Sequence, residues 1–253
     1  MTGRMIGQRL RLLILGGTPE SQMISAAISN DRRVATTASL ARVGRKPKPM
    51  GVPTRIGTWR GKAEFQDWVR AEQFDAILDA TDAYSPQMSE WAHEISVALG
   101  VDFIQFLPHL LTPRSTDNWS FLNGLEDAAN EVADHATVFM DLGVSELGRL
   151  PFRDGQVVYS VDQDDVTRRV QGNQSTPISL RPINTLVTAA DLFMSLGVDA
   201  VVALNSGTHR TTVVLDAARE LGIPVGMIRR PPQIEGPKLT SISEALAWVR
   251  RRI

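Results

Sequence analysis

The sequence contains no cysteine, so it forms no disulfide bond and offers no thiolate as a nucleophile or as a ligand for zinc or an iron–sulfur cluster. It also lacks an excess of charge of one sign, because 27 Lys and Arg against 28 Asp and Glu give a formal net charge of −1. A broad positive field that would bind nucleic acid is therefore excluded. With 43% hydrophobic residues over 253 positions, the composition is that of an ordinary globular protein of one large or two small domains.

Long apolar runs are missing as well: none approaches the roughly 18 residues that cross a membrane. The first ten residues, MTGRMIGQRL, hold no apolar core of a secretory signal. We therefore expect a cytoplasmic protein that binds neither membranes nor nucleic acid. The four histidines show no H-x-x-x-H or H-E-x-x-H spacing and no serine stands in a G-x-S-x-G context, so neither a metal site nor a hydrolase nucleophile is expected.

Short apolar runs that end at Gly, Asp or Asn alternate with segments of helical period, which is typical of βα units around a parallel sheet. The strands are predicted at residues 11–15, 34–37, 76–79, 101–106, 137–140, 157–161, 200–204 and 224–228. The helices are predicted at residues 20–29, 63–71, 87–99, 125–133, 186–196, 212–221 and 242–251. Segments 42–53 and 162–182 are expected to be loops. The pattern predicts two Rossmann-like, doubly wound α/β domains, at 1–134 and 135–253, with a cleft between them.

The strongest local motif is LLILGGTPES, residues 12–21, at the end of the first predicted strand. Gly16 and Gly17 allow a tight turn and a close approach of the backbone to a ligand, Thr18 is a good N-cap, and Pro19 suits the first helical turn. Such a turn directs N–H groups and a helix dipole at an anion, most often a phosphate. The motif matches neither G-x-G-x-x-G nor the Walker pattern, so a turn that merely requires glycine is an equal alternative.

Basic residues follow the second predicted strand, where a dinucleotide-binding domain meets the adenosine ribose. They are Arg42, Arg45, Lys46 and Lys48, and no acidic residue follows the strand closely. An acidic residue here would favour NAD, whereas basic residues suit the 2′-phosphate of NADP. The pattern indicates NADPH, with a solvated basic loop as the alternative.

Polar residues also follow the strand 76–79, at the edge where open α/β sheets bind ligands. The expected ligand contacts there are Thr81, Tyr84 and Ser85. Asp79 and Asp82 are predicted to cap the following helix rather than to form a catalytic acid pair.

A second polar turn follows the predicted strand 200–204. Asn205, Ser206 and Thr208 lie between this strand and the next helix. Their side chains suit a helix cap, a contact with a ligand carbonyl or carboxylate, or both at once.

The chain as a whole resembles the precorrin-6A reductase family of corrin biosynthesis from about residue 11 to residue 250. The motifs that carry the resemblance occur in order: LILGGTPE, TTASLA (36–41), TRIGTWRG (54–61), DAT (79–81), QMS (87–89), TDNW (116–119), VALNSGT (202–208), LDAARELGIPVGMIRRP (215–231) and EALAWV (244–249). The resemblance implies two Rossmann-like domains, NADPH as hydride donor and a macrocyclic tetrapyrrole-derived substrate in the cleft between them.

The resemblance also implies a set of site residues. The implied cofactor contacts, joined by the basic Arg42, are Gly16, Gly17, Thr18, Glu20, Ser39 and Leu40. The substrate contacts that we expect are Thr81, Tyr84, Gln87, Ser89, Arg181, Asn205, Ser206 and Thr208. Asp82 and Tyr84 are the candidate donors of the proton that completes the reduction, with solvent as the alternative.

At several matched positions a basic residue of the family is replaced. The family's D-A-T-H-P-F reads DATDAY here, its K-N-[SA]-G-G reads LNSGT, and a Lys of the next helix is Val214. Precorrins carry many carboxylates, so a precorrin enzyme should supply the lost charge elsewhere, for instance from Arg60, Arg114 or Arg149. We expect an NADPH-dependent reductase that converts precorrin-6A to precorrin-6B in cobalamin biosynthesis. The alternative is a diverged paralogue that binds or reduces a less anionic ligand, with or without catalysis.

Overall fold

A computed structural model describes residues 8–41, 49–142, 147, 150, 152, 154–161, 167–171, 174–178 and 183–253. The chain divides into two units, of which the first comprises Met1–His109 with Pro231–Ile253 and the second comprises Leu110–Arg230. Each unit is built on one sheet. Among the residues described, no helix has the length and apolarity needed to cross a membrane.

The first unit contains six strands and four helices among its described residues. The strands are β1 (Leu10–Gly16), β2 (Val34–Leu40), β3 (Thr54–Ile56), β4 (Ala76–Asp79), β5 (Asp102–Phe106) and β13 (Lys238–Leu239). The helices are α1 (Pro19–Ile28), α2 (Lys62–Ala71), α3 (Pro86–Leu99) and α7 (Ile242–Arg250). The strands pair in parallel in the order β13-β5-β4-β1-β2-β3. The order reverses at β1, which places a ligand crevice at the carboxyl ends of β1 and its neighbours.

The two faces of this sheet are covered by different helices. Alternate residues of β1 point to opposite faces, as strand geometry requires. Leu12 and Ile14 pack in one buried cluster with Ile24 of α1 and Trp248 of α7. Leu13 and Leu15 pack in another, which includes Phe65 of α2 and Ile95 of α3. This sandwich of helices around an almost fully buried β1 holds the turn after Gly16 in place.

The second unit contains a seven-stranded sheet. Its strands are β6 (Trp119–Leu122), β7 (Thr137–Asp141), β8 (Val157–Val161), β9 (Thr167–Gln171), β10 (Gln174–Ile178), β11 (Ala200–Leu204) and β12 (Val225–Ile228). Its helices are α4 (Leu125–Glu131), α5 (Leu186–Leu196) and α6 (His209–Glu220). Five neighbouring strands, from β6 to β8, pair in parallel, whereas β9 and β10 add an antiparallel hairpin at one edge.

The predicted fold class, with two Rossmann-like parallel sheets, is confirmed, but the units divide the chain differently from the predicted boundary at 134/135. The segment before that boundary contributes β6, which pairs with β12 of the second unit. The end of the chain returns to the first unit, where β13 pairs with β5 and α7 packs near α1. Hydrophobic period identifies an element but does not say which sheet it joins.

Five strands were not predicted: β3, β6, β9, β10 and β13. Four of them, all except β9, are the outermost strands of their sheets, and β9 is next to outermost. Such strands need little apolar surface, so the apolar run that identifies a central strand is missing from them. The segment 162–182, predicted to be a loop, therefore contains the β9–β10 hairpin.

Candidate functional site

The turn after β1 is built from two glycines with different tasks. A Cβ on Gly16 would lie 2.9 Å from Leu40 Cδ2 and 3.0 Å from Ser21 Oγ, so only glycine fits between β2 and α1. Gly17 has a φ of 145° and nothing within 4 Å of the position of a Cβ. Its conformation therefore demands glycine, while the space beside it is open. A ligand has room to approach the backbone at this point.

The first turn of α1 is closed by its own side chains. Thr18 Oγ1 accepts a hydrogen bond from Ser21 N (3.1 Å) and donates to the carbonyl of Ala80 (3.1 Å). Ser21 Oγ accepts from the N–H groups of Gly17 (3.2 Å) and Thr18 (3.3 Å). Thr18 is thus the N-cap, as predicted. Two of the N–H groups that were expected to face an anion are bonded to Ser21. Fewer N–H donors of the predicted phosphate site are therefore free to bind an anion.

The other predicted cofactor residues lie beside this turn, with one exception. Leu40 is the strand partner of Gly16, and Ser39 is the partner of Leu15. Glu20 stands in the first turn of α1, and its buried Oε2 has no hydrogen-bond partner among the described residues. The structure therefore gathers six of the seven at the carboxyl ends of β1 and β2. Arg42 lies outside the described residues.

The carboxyl end of β4 carries a buried polar group that continues into α3. Asp79 is fully buried, and its Oδ1 accepts from Thr81 N (3.1 Å) and Thr81 Oγ1 (2.7 Å). Thr81 Oγ1 lies 3.4 Å from the hydroxyl of Ser89, which is also buried. Two predicted substrate contacts are thus brought together here. Burial, the largest cause, raises the pKa of the Asp79 carboxyl, whereas the hydrogen bonds that it accepts from Thr81 lower it.

The predicted capping roles of Asp79 and Asp82 are wrong. Asp79 bonds to its own turn, and Asp82 Oδ1 accepts from the N–H of Tyr84 (2.8 Å). The N-cap of α3 is Ser85, whose side chain makes no capping hydrogen bond. The helix begins at Pro86, so its N-cap position falls on Ser85 and not on either aspartate.

The remaining predicted residues of this loop differ in exposure. Tyr84 is half-buried, whereas Asp82 and Gln87 are exposed. Asp82 is engaged in its turn through one carboxylate oxygen. Tyr84 and Gln87 flank the start of α3, so both stand at the ligand-binding edge of the first sheet.

In the second unit, the side chain of Asn205 is hydrogen-bonded to the loop that precedes β6. Its Oδ1 accepts from Leu111 N (2.8 Å), and its Nδ2 donates to the carbonyl of Leu111 (2.9 Å). The residue is buried, and both polar atoms of its side chain are occupied. Its geometry is that of a structural clamp, and its backbone carbonyl accepts from Nε of Arg230 (3.1 Å).

Hydroxyl groups form a connected network where β11 meets α6. Ser206, Thr208 and Thr211 lie with their hydroxyl oxygens 2.8–3.1 Å apart. Thr208 is the N-cap of α6, as the sequence allowed. Thr211 Oγ1 also donates to Asp141 Oδ2 (2.8 Å) at the end of β7. The strand order reverses at β7, and β11 pairs with β7 as β4 pairs with β1, so this network occupies the position in the second sheet that the turn after β4 occupies in the first.

Several residues of this edge were not predicted. Arg210 Nε lies 3.1 Å from Oδ1 of the buried Asp141, and 38% of the Arg210 side chain is exposed. Arg230 Nη2 donates to the carbonyl of Ser206 (2.9 Å). The position of Asp141 at the end of a predicted strand was the one signal that could have found it. The two arginines are identified only by their three-dimensional neighbours.

The cations that were expected to replace the lost family charge are differently placed. Arg60 is exposed beside Glu64, and Arg114 lies 3.7 Å from Asp216. Arg149 and Arg181 lie outside the described residues. Among the residues described, no group of three or more His, Asp or Glu is arranged to hold a metal ion.

Comparison with known proteins decides the family. The model of the precorrin-6x reductase family, CbiJ/CobK, matches residues 11–250. The chain belongs to the precorrin-6x reductase family. The resemblance proposed from the sequence is thereby confirmed, and with it the prediction of an enzyme, since the family is one of reductases.

Individual members of the family match over nearly their whole length. The precorrin-6A reductase of Rhodococcus erythropolis is 33% identical over 246 residues, covering 94% of this chain and 97% of the relative. That of Mycobacterium tuberculosis is 32% identical over 250 residues, with the same coverage. A solved structure of a CobK precorrin-6A reductase has a TM-score of 0.79 at 25% identity and covers 96% of both chains. No match favours the diverged, non-catalytic alternative.

Proposed function

We propose that this protein is an NADPH-dependent precorrin-6A reductase, which transfers a hydride to the conjugated ring of precorrin-6A to give precorrin-6B. The observation that carries the proposal is the match to precorrin-6A reductases over 94% of the chain. The retained glycine turn at the reversal point of the first sheet supports it.

We infer that the first unit binds NADPH at the carboxyl ends of β1 and β2. The residues present fit the cofactor: Gly17 leaves open space beside the backbone, and Gly16 keeps the β2 side chain of Leu40 close. The unpartnered Oε2 of Glu20 is an acceptor suited to a ribose hydroxyl. Bound NADPH supplies the hydride. The protein orients the nicotinamide and excludes water.

The preference for NADPH over NADH rests on the sequence. Arg42 and the basic residues after it follow β2, where the 2′-phosphate of NADP binds in this type of domain. We expect Arg42→Ala to weaken NADPH binding selectively and to leave NADH binding unchanged.

We propose Tyr84 as the proton donor. Tyr84 is a half-buried residue at the ligand-binding edge of the first sheet. Asp82, the other candidate, already uses a carboxylate oxygen to accept the Tyr84 N–H. Tyr84→Phe removes the proton and retains the ring, so it should lower kcat and leave KM almost unchanged. Solvent is the donor if Tyr84→Phe keeps the wild-type kcat.

In the second unit we propose that Ser206 and Thr208 contact the substrate through their hydroxyl groups. Arg210 would bind one of the substrate carboxylates, because its guanidinium is partly exposed and its Nε is held beside Asp141. Asn205 acts indirectly, by holding the loop at Leu111.

The test has two stages. Purified protein is titrated with NADPH and with NADH, following nicotinamide fluorescence, and is then supplied with precorrin-6A while oxidation of NADPH is followed by absorbance. We expect tighter binding of NADPH and one NADPH oxidised per precorrin-6A reduced. Failure to bind either nucleotide at millimolar concentration would overturn the reductase assignment. Binding of NADPH without reduction of precorrin-6A would indicate that the enzyme reduces a different hydride acceptor.

A further inference from the structure

Two buried oxygen atoms at the carboxyl edge of the first sheet have no hydrogen-bond partner among the described residues. They are Oδ2 of Asp79 and Oε1 of Gln105. The two residues are direct partners on the parallel strands β4 and β5. Asp79 is fully buried, and 3% of Gln105 is exposed. Buried polar atoms are almost always bonded, so two orphaned acceptors on neighbouring residues require a common explanation.

The orientation of the Gln105 amide is determined by a chain of contacts. Gln233 Nε2 donates to the carbonyls of Ala83 (2.8 Å) and Pro231 (2.9 Å), and a carbonyl only accepts. Gln233 therefore presents its Oε1 to Gln105, at 3.4 Å from Gln105 Nε2. Reversing the Gln105 amide would place two oxygens against each other. Its Oε1 is thus an acceptor that needs a donor.

The described surroundings of Asp79 contain no cation close enough to form an ion pair with it. Among the residues that the structure describes, no Lys, Arg or His nitrogen pairs with its carboxylate within 4 Å. The titratable group that faces it is Lys238 of β13. The Lys238 ammonium instead donates to the carbonyls of Ile234 (2.6 Å) and Gly236 (3.3 Å). The other groups around Asp79, from β5 and α3, are the neutral side chains of Gln105 and Ser89.

We propose that Asp79 is a neutral carboxylic acid in the folded protein and that its Oδ2–H donates to Oε1 of Gln105. One proton then satisfies both orphaned atoms. The pKa of the Asp79 carboxyl, raised by burial, agrees with this state.

The proton makes Asp79 a positioning residue for the loop after β4. With Oδ2 held by Gln105, its Oδ1 accepts both hydrogen bonds from Thr81. Ala80 lies between these residues and accepts the hydrogen bond of Thr18 from the glycine turn. Ionised Asp79 has no proton to donate and would leave Oε1 of Gln105 without a partner. The link to substrate binding rests on the proposed function, whereas the protonation state does not.

The variants Asp79→Asn and Asp79→Ala separate protonation from packing. Asn carries an N–H₂ where the acid carries its proton, so it should reproduce both the bond to Gln105 and the acceptor for Thr81. Asp79→Ala removes both. We expect Asp79→Asn to fold as wild type does, with unchanged KM and kcat, and Asp79→Ala to be destabilised and to show a raised KM.

The pH dependence of unfolding supplies the decisive readout. A carboxyl that is protonated when folded and has a pKa of 3.8 when unfolded makes the unfolding constant rise about tenfold per pH unit between the two pKa values. The ratio of the unfolding constants of wild type and Asp79→Asn should therefore increase as pH rises above 3.8. A ratio that stays constant from pH 4 to pH 8 would overturn the proposal.

Infrared spectroscopy tests the same state without any substrate. Wild type should show the carbonyl stretch of a protonated carboxyl at neutral pH, and Asp79→Asn should lose this band. Asp102→Asn, at an exposed carboxylate of β5 paired with Arg252, is the matched control and should retain it. Absence of the band in wild type refutes the protonated Asp79. If the band is present but precorrin-6A is not reduced, the proposed function fails and the protonation assignment stands.

Discussion

Replacement of Gly17 by Asp tests the cofactor site at the residue whose geometry defines it. The φ of 145° at Gly17 is a conformation that side chains with a Cβ rarely adopt. Forcing it costs about 1–3 kcal/mol. For a chain of this length that cost corresponds to a fall in Tm of roughly 2–12 °C. The space beside Gly17 is open, so no steric clash adds to this figure.

The charge of the new carboxylate acts on binding rather than on folding. At roughly 5 Å from a phosphate and an effective dielectric constant near 20, the repulsion is about 3 kcal/mol. NADPH should therefore bind about a hundredfold more weakly to Gly17→Asp. Gly17→Ala introduces the strain without the charge, so it should show the fall in Tm and a much smaller loss of affinity.

Gly61 offers a matched control for the same substitution. It is the N-cap residue of α2, with a φ of 175° and nothing within 4 Å of a Cβ position. Asp is favourable at an N-cap, so Gly61→Asp should retain stability and bind NADPH as wild type does. Calorimetry and nicotinamide fluorescence measure both quantities on the same samples. Wild-type affinity in Gly17→Asp would refute the cofactor site at this turn.

Three further outcomes are expected in the second unit. Asn205→Ala leaves the backbone groups of Leu111 without partners and should lower the free energy of unfolding by about 1–3 kcal/mol in urea titrations, and unchanged stability would contradict the clamp. Arg219→Lys should cost about 1–2 kcal/mol, because Arg219 binds both oxygens of Asp117. The hydrogen bond from Arg219 lowers the pKa of Asp117 in the folded protein. The stabilisation from this pair should therefore be fully present above pH 3.8 and be lost as pH falls through the folded pKa. At every pH above the folded pKa it should be smaller in the Lys variant. Arg210→Gln should raise KM for precorrin-6A about tenfold with little change in kcat, and an unchanged KM would exclude Arg210 as a carboxylate anchor.

Much of the first unit could be predicted from its sequence. The strand 76–79 was predicted with the bounds that the structure has, and β1 and α1 differ from their predicted bounds by one residue at each end. These elements are central and buried, so their apolar period is strong. The turn between β1 and α1 was predicted because glycine and an N-cap threonine are required by local backbone geometry. Local residue order contains that information.

The roles of other residues could be recognised only from the tertiary structure. The sequence predicts Asn205 as a ligand contact, but in the structure both polar atoms of its side chain bond to the backbone of Leu111, 94 positions away. The sequence predicts Asp79 as a helix cap, but in the structure it is the strand partner of Gln105 on β5. In each case the role depends on a partner that only long-range pairing brings into contact.

The sequence by itself determined the family, the alternation of strands and helices and the glycine turn, because each depends on residue order within short segments. Only the tertiary structure decided which sheet receives each end of the chain. Strand β6 joins the second sheet, and β13, which follows that whole unit, returns to the first. Strand pairing depends on backbone hydrogen bonds and buried surface between segments that are distant in sequence. A local residue pattern therefore does not predict which strands pair.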